Sequence, residues 1–141
     1  MNKELLILPE HTLGFVKNEF TTLFPHLKLE FYLDNKENPK KLPEGRDLSI
    51  ELPIGYFTKS IATEVCIYEA MTVAEVEMII FDRFNIRVKV YRRSGVSWLE
   101  TAITQDWSLD YQNWQGESTS KYLSGNTQTK EYNHKIDESH N

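Results

Sequence analysis

The chain has 141 residues, enough for one domain with its own core but short for two. Its formal net charge of −5 disfavours nucleic acid and anionic membranes as partners, so binding to either requires a local basic patch. The single cysteine, Cys66, excludes an intramolecular disulfide and indicates a reducing compartment.

The N-terminal region carries no pattern typical of a targeting signal. Its apolar run, LLIL at residues 5–8, is too short for the central region of a signal peptide. A run of eighteen apolar residues, the minimum for a membrane span, occurs nowhere in the chain. We therefore predict a cytoplasmic protein that does not bind membranes.

The first predicted elements are a strand, a helix and a second strand. The stretch ELLIL at residues 4–8 reads as the first strand, and Thr12 is a candidate N-cap for the helix. From residue 27 onward, apolar and polar residues alternate with the period of a half-buried strand. The apolar positions of the helix step by three and four, which is typical of one buried face; they are Leu13, Val16, Phe20 and Phe24.

A polar stretch separates this unit from the next. Residues 34–47, DNKENPKKLPEGRD, contain two prolines and a glycine and are predicted to form an exposed loop. The following LSIELPIGYF at residues 48–57 fits either a short strand or irregular packing, and both alternatives stay open.

The second unit repeats the first about sixty residues later. It has a strand candidate, TEVCIYE at residues 63–69, in which Cys66 is predicted to be a buried, inert thiol. Thr72 and Glu75 have the spacing of a capping box at the start of a helix. An alternating strand follows the helix stripe, which is Val73, Val76, Ile80 and Phe84.

This repetition predicts an α+β fold with an internal duplication. Units at about residues 4–33 and 63–103 would each place two parallel strands around a helix through a right-handed crossover. The expected result is a mixed sheet with two helices on one face, similar to a ferredoxin-like sandwich, although another strand order fits equally well.

The end of the second unit is predicted to be a tight hairpin. If Ser94 and Gly95 form its two-residue turn, then Tyr91 lies opposite Trp98 on one face of the sheet. The other face is aliphatic and includes three opposed pairs: Ile86 with Ile103, Val88 with Thr101 and Val90 with Leu99.

A short aromatic helix is predicted after the hairpin. Asp106 and Ser108 are cap candidates, and Gly116 is the expected stop. The helix at residues 107–115 carries an aromatic stripe that either packs on the nearest surface, the hairpin face with Tyr91, or stays exposed for contact with a partner. Residues 1–116 would then form the domain, and residues 117–141 a polar, disordered tail.

The hairpin and the helix also carry a family pattern. They resemble a family of small, uncharacterised bacterial proteins, and the resemblance implies no activity and no catalytic residue. The matching residues are Val88, Val90, Arg92, Ser94, Gly95, Trp98, Leu99, Glu100, Thr101, Asp106, Trp107, Leu109, Gln112, Asn113 and Gly116.

These patterns favour a non-catalytic binding or adaptor domain that acts through protein–protein contacts or self-association. No motif for catalysis, a cofactor or a metal is found. Aromatic and basic residues on an open sheet face suggest single-stranded nucleic-acid binding as one alternative, and an enzyme without a recognisable motif is another. The candidate interaction surface is Tyr32, Arg87, Lys89, Tyr91, Arg93, Trp98, Trp107, Tyr111 and Trp114.

Overall fold

The architecture is seen in a computed structural model, which describes residues 3–33, 40–41, 48–58 and 63–123. Its strands are short, and each unit contains one long helix. In chain order the helices and strands are β1 (Glu4–Ile7), α1 (Leu13–Leu23), β2 (Leu27–Leu33), β3 (Lys40–Lys41), β4 (Val65–Tyr68), α2 (Val73–Phe84), β5 (Arg87–Ser94), β6 (Ser97–Glu100) and α3 (Leu109–Leu123).

The strands form two antiparallel sheets. β1 pairs with β4, and a second sheet has the strand order β3-β2-β5-β6. The predicted α+β class is confirmed, and the arrangement is compatible with a ferredoxin-like sandwich. The predicted parallel pairing in one mixed sheet is wrong. β1 pairs with β4 and β2 pairs with β5, so these strands pair between the units and not within a unit.

The pairing registers give the two units a local two-fold relation. Leu6 pairs with Cys66, and Glu30 pairs with Lys89. In each pair the two residues hold equivalent positions in the two units. When a residue of an antiparallel ladder lies opposite its own counterpart, the two strands are related by a two-fold axis at that pair. Both ladders therefore place the two units symmetrically.

In each unit, the first residue of a further helix forms a backbone hydrogen bond to the unit and is buried in the core. In the first unit the Ile54 amide donates to the His11 carbonyl oxygen at 2.8 Å, and in the second the Leu109 amide donates to that of Met71 at 2.8 Å. The side chains of Ile54 and Leu109 are both fully buried. The stretch that the sequence left undecided is thus two 3-10 helices, Leu48–Glu51 and Ile54–Phe57, and the second occupies the place that α3 has in the other unit.

Both helix starts are capped as the sequence predicts. The Thr12 hydroxyl accepts from the Phe15 amide, and Thr72 and Glu75 form the complete capping box. After the caps, the apolar stripes of α1 and α2 pack into one core. Burial of each large side chain there stabilises the fold by about 1.5–3 kcal/mol. The fully buried large side chains include Phe20, Phe24, Phe31, Phe84, Ile7, Leu13, Leu27, Leu29, Ile67, Ile80 and Ile86.

The hairpin has a different register from the one predicted. Ser94 pairs with Ser97, so the turn residues are Gly95 and Val96, and Trp98 lies opposite Arg93. Gly95 has a φ of +63° and takes the first turn position, where a positive φ favours glycine. Since the partners move by two residues, which is one full side-chain period, the predicted faces of β5 and β6 are retained.

The predicted aliphatic pairs beyond β6 are absent from the described hairpin. β6 ends at Glu100, and the Thr101 hydroxyl then donates to the Val90 carbonyl oxygen at 2.7 Å. This bond turns the chain out of the sheet, so Ile103 is 97 % exposed instead of facing Ile86.

Cys66 is exposed, contrary to the predicted buried thiol. In β4 the inward positions are Val65 and Ile67, so Cys66 and Tyr68 point outward. Partial desolvation raises the pKa of the Cys66 thiol, and the negative charges of neighbouring glutamates raise it further. The thiol is therefore accessible but weakly ionised at neutral pH.

Helix α3 is longer than predicted and does not stop at Gly116. It runs to Leu123, so residues 117–123 of the predicted tail are helical. A Cβ atom at Gly116 would lie 3.0 Å from His26 Cβ and 3.0 Å from Arg92 Cγ, so this glycine allows α3 to approach the sheet closely. Residues 34–39 and 42–47 of the predicted loop, and 124–141 of the tail, lie outside the described residues.

Of the helices within the described ranges, none has the length and apolar character needed to cross a membrane.

Replacing Gly116 with valine is expected to lower the free energy of unfolding by about 1–3 kcal/mol, because the added methyl groups overpack the contact with His26 and Arg92. Urea unfolding followed by circular dichroism measures the change. Lys121→Val, on the exposed side of the same helix, is the control and should change the free energy by less than about 0.7 kcal/mol. Equal effects of the two variants would contradict close packing at Gly116.

Candidate functional site

Polar, charged and aromatic side chains share one face of the four-stranded sheet, which we term the outer face. Lys28 lies opposite Tyr91, and Tyr32 lies opposite Arg87. Arg93 lies opposite Trp98. Because side chains alternate along each strand, these residues point away from the core on one side. The outer face comprises Lys28, Glu30, Tyr32, Arg87, Lys89, Tyr91, Arg93, Trp98 and Glu100.

Helix α3 packs against the opposite side of β5. Arg92, which alternates with Tyr91 and Arg93, donates from Nη1 to Gln112 Oε1 at 2.9 Å. Gly116 lies against the Arg92 stem, and the Asn113 side chain accepts from the His26 amide. Of the two alternatives for the aromatic helix, packing over Tyr91 and Trp98 is therefore wrong, because α3 occupies the inner side of the sheet.

Two tyrosines meet at the centre of the outer face. The hydroxyl oxygens of Tyr32 and Tyr91 are 2.5 Å apart and form a hydrogen bond. Burial, followed by the hydrogen bond to Tyr91, raises the pKa of Tyr32 far above its ordinary value. These residues hold equivalent positions in the two units, so the bond lies on the local two-fold axis. It fixes both rings against the sheet.

Two cations hold Trp98 at one end of the face. The Lys28 Nζ atom lies 5.0 Å from the centre of the Trp98 ring, and the Arg93 guanidinium carbon lies 5.2 Å from it. Lys28 also lies 5.7 Å from the centre of the Tyr91 ring. Cation–π contacts of this kind are worth about 0.5–1 kcal/mol at exposed sites, so they order the three side chains.

A buried carboxylate anchors the lysines beside Trp98. Glu30 is 1 % exposed, and its two oxygens bind Lys17 at 3.0 Å and Lys28 at 3.1 Å. Lys17 comes from α1, so this ion pair ties the helix to β2. The carboxylate also neutralises part of the positive charge at this end of the face.

The equivalent positions in the second unit carry exchanged charges. There α2 supplies the acid, Glu77, and β5 supplies the base, Lys89. Burial raises the pKa of Glu77, and Lys89 and a hydrogen bond from the Val90 amide offset part of the rise. Glu77 thus satisfies a backbone group at the edge of β5 where β6 has already ended.

A groove of about 600 Å³ lies beside this edge, between α2 and β5, and we term it the edge groove. On α2, Met78 is 65 % exposed, and the Phe81 ring lies 4.0 Å from the Arg87 guanidinium. The lining residues are Tyr32, Ala74, Glu77, Met78, Phe81, Arg87, Val88, Lys89 and Gln105. An apolar surface and charged side chains of both signs thus adjoin the outer face.

The aromatic residues on α3 and just before it form a separate patch. Tyr111 contacts Trp107 edge-on with ring centres 4.7 Å apart, and stacks on Trp114 at 5.8 Å. The Arg92 guanidinium lies 5.5 Å from the centre of the Trp107 ring, on the inner side of the sheet. The predicted surface is therefore divided: six of its residues share the outer face, and Trp107, Tyr111 and Trp114 do not join them.

Sequence reasoning missed the walls of the edge groove. Met78 and Phe81 flank the buried stripe of α2, a position that alone does not distinguish a groove wall from ordinary helix surface. The only available signal was an apolar Met78 at a position where the stripe requires none.

Metal-ligating side chains are scattered across the described residues, where no group of three or more His, Cys, Asp and Glu is placed to hold an ion. Of the two described histidines, His11 accepts the Leu8 amide at Nδ1 and packs on Phe15. His26 lies against α3 through its backbone and its Cβ atom.

Tyr32→Phe is expected to lower the free energy of unfolding by about 0.5–1.5 kcal/mol at neutral pH, because it removes the bond to Tyr91. The raised pKa adds a pH effect: unfolded Tyr32 ionises near its ordinary pKa of 10.0, whereas folded Tyr32 keeps its proton. This contribution is complete below pH 10.0 and is lost as the pH rises through the folded pKa. Denaturant unfolding at neutral and alkaline pH should show a steeper loss for the unchanged protein than for the variant, and parallel losses would contradict the raised pKa.

Comparisons with known proteins find no match for the chain. No protein-family model matches the chain, and neither the curated proteins nor the solved structures include a significant match. The resemblance to a bacterial family therefore stays a prediction from the residues of the hairpin and α3.

Proposed function

We propose that the chain is a non-catalytic binding domain that contacts another protein through its outer face and edge groove. The observation that carries this proposal is the position of α3, which packs on the Arg92 side of β5 and leaves Tyr91 and Trp98 on the opposite side. Because the single cysteine suggests a reducing compartment, we propose that the domain acts in the cytoplasm.

Charge indicates the kind of protein surface that fits. The outer face carries four basic side chains and two carboxylates, whereas the whole chain has a net charge of −5. One of the two carboxylates, Glu30, is buried under its lysines. An acidic partner is thus attracted to this face and repelled by the remainder of the surface, which fixes its orientation.

Single-stranded nucleic acid is the second candidate, because aromatic rings alternate with cations on the face. One observation favours a protein. Trp98 already contacts Lys28 and Arg93, so base stacking on its ring competes with existing contacts.

Recovery of bound proteins from the native cell, with tagged variants as bait, tests the proposal. Trp98→Ala is expected to reduce recovery of the specific partner at least about tenfold, as truncation of an aromatic interface anchor does. Trp114→Ala, which removes a ring of the same type from the separate patch on α3, is the control and should leave recovery unchanged. Circular dichroism confirms that both variants fold.

The same variants separate the two candidates. The unchanged protein should not alter the fluorescence anisotropy of labelled oligothymidylate at physiological salt. A salt-dependent signal that Arg87→Glu abolishes would favour nucleic acid. Loss of the partner in Trp114→Ala but not in Trp98→Ala would move the interface to α3 and contradict the proposal.

A further inference from the structure

Strand β6 lies at one end of the four-stranded sheet, and none of the described strands pairs with its outer edge. The Arg93 amide donates toward β2, to the carbonyl oxygen of the residue before that strand. Since this direction alternates along an antiparallel strand, Arg92 bonds toward β6, where it pairs with Leu99. The neighbours of Leu99 direct their backbone groups the other way, so the amides and carbonyl oxygens of Trp98 and Glu100 point to the open edge.

The open edge of β6 is within reach of solvent. Leu99 and Glu100 are exposed, as is Ser97, and Trp98 is half-buried. Leu99 lies opposite Arg92 and so points to the inner side, where it remains 44 % exposed although α3 packs against β5 there. An edge strand with outward backbone groups and an exposed aliphatic side chain is a template for a further strand.

A second copy of β6 fits this edge in one register that satisfies all of the outward groups. With Leu99 opposite Leu99 of the other copy, Trp98 of each copy lies opposite Glu100 of the other, and each of these pairs exchanges both backbone hydrogen bonds. A shift of two residues in either direction pairs Trp98 or Glu100 with itself and leaves the other without a partner in β6. The two Leu99 side chains meet at a non-hydrogen-bonded pair, where opposed side chains are closest.

The same register brings together exposed apolar residues beyond both ends of β6. Val96 in the turn is 92 % exposed, and Ile103 after the strand is 97 % exposed. Positions on either side of Leu99 lie opposite each other, so the turn of one copy lies beside the segment that follows β6 in the other. Val96 is thereby placed near Ala102 and Ile103 of the other copy, and burial of these side chains stabilises the contact.

Charge is also compatible with a second copy. A chain with a net charge of −5 repels its own copies on average, so a contact between copies requires a region without opposed like charges. Glu100 is the only charged residue of β6, and in this register it lies opposite Trp98 and not opposite itself. Like charges therefore do not face each other across the two strands.

We propose that two copies of the chain associate through their β6 strands, about a two-fold axis at Leu99, and join their four-stranded sheets into one. The occupant is a second copy because the edge complements itself in hydrogen bonds, apolar surface and charge, as an isologous contact requires. This inference goes beyond the proposed function, since it uses the edge of β6 and neither the outer face nor the edge groove. The axis is perpendicular to the joined sheet, so the outer faces of both copies lie on the same side.

Sedimentation equilibrium of the full chain tests the association. The unchanged protein is expected to form a concentration-dependent dimer. Leu99→Lys places like charges directly opposite each other at the axis, so it should raise the dimer dissociation constant at least about tenfold. Leu6→Lys is the matched control, because Leu6 is 48 % exposed on β1 in the other sheet, and it should change the constant less than about twofold. Circular dichroism shows that both variants fold.

Disulfide formation tests the register. In a Cys66→Ser background, Leu99→Cys places two thiols at a non-hydrogen-bonded pair, whose Cα atoms lie about 4.5 Å apart and within the range of a disulfide. Mild oxidation should then give a covalent dimer on a non-reducing gel. Val96→Cys in the same background is the control. Its position is more exposed, but the two copies of it lie about 20 Å apart along the strands, so no covalent dimer should form.

Several outcomes would overturn the inference. A monomer at all concentrations, or equal effects of Leu99→Lys and Leu6→Lys on the dimer, would show that β6 does not form the contact. Equal cross-linking of the two cysteine variants would show random collision and no fixed register. A dimer that only Leu6→Lys dissociates would place the contact on the sheet of β1 and β4.

Discussion

The fold depends on the antiparallel pairing of each strand with its counterpart in the other unit. Leu6 with Cys66 and Glu30 with Lys89 fix the two registers, and every other ladder contact between the units follows from these pairs. A slip of one residue in either ladder would turn a buried row of aliphatic side chains toward solvent. Neither unit can bury its apolar face alone, so the two ladders hold the core together.

The end of β6 explains why a binding surface is available. β6 pairs only with the last part of β5 and ends at Glu100, where the Thr101 hydroxyl donates to the Val90 carbonyl oxygen. The helix that follows must return across α2 to dock Leu109 in the core, which carries α3 to the inner side. The position of the outer face is therefore a consequence of the route that the chain takes from β6 to α3.

Local patterns in the sequence predicted the elements well, but not their partners. Both helix stripes, the Thr72 capping box and the faces of β5 and β6 depend on contacts within a few residues, and periodicity reports such contacts directly. Strand pairing, the length of α3 and the exposure of Cys66 depend on distant groups: Gly116 reads as a helix stop until Arg92 and His26 are seen against it. Six residues of the candidate site were found because they alternate along strands. The walls of the edge groove, Met78 and Phe81, were not found, because residues beside the buried stripe of a helix follow no separate periodic pattern.

The exchange of charges between Lys17–Glu30 and Glu77–Lys89 makes the two halves alike in shape but unlike in potential. A ligand that fits one groove sterically meets the opposite sign on the helix wall of the other. The two ends of the scaffold thus differ in charge although their backbones are alike, and the two orientations of an elongated ligand across the axis differ in electrostatic energy. One exchanged pair of charges therefore gives a symmetric framework an electrostatic polarity.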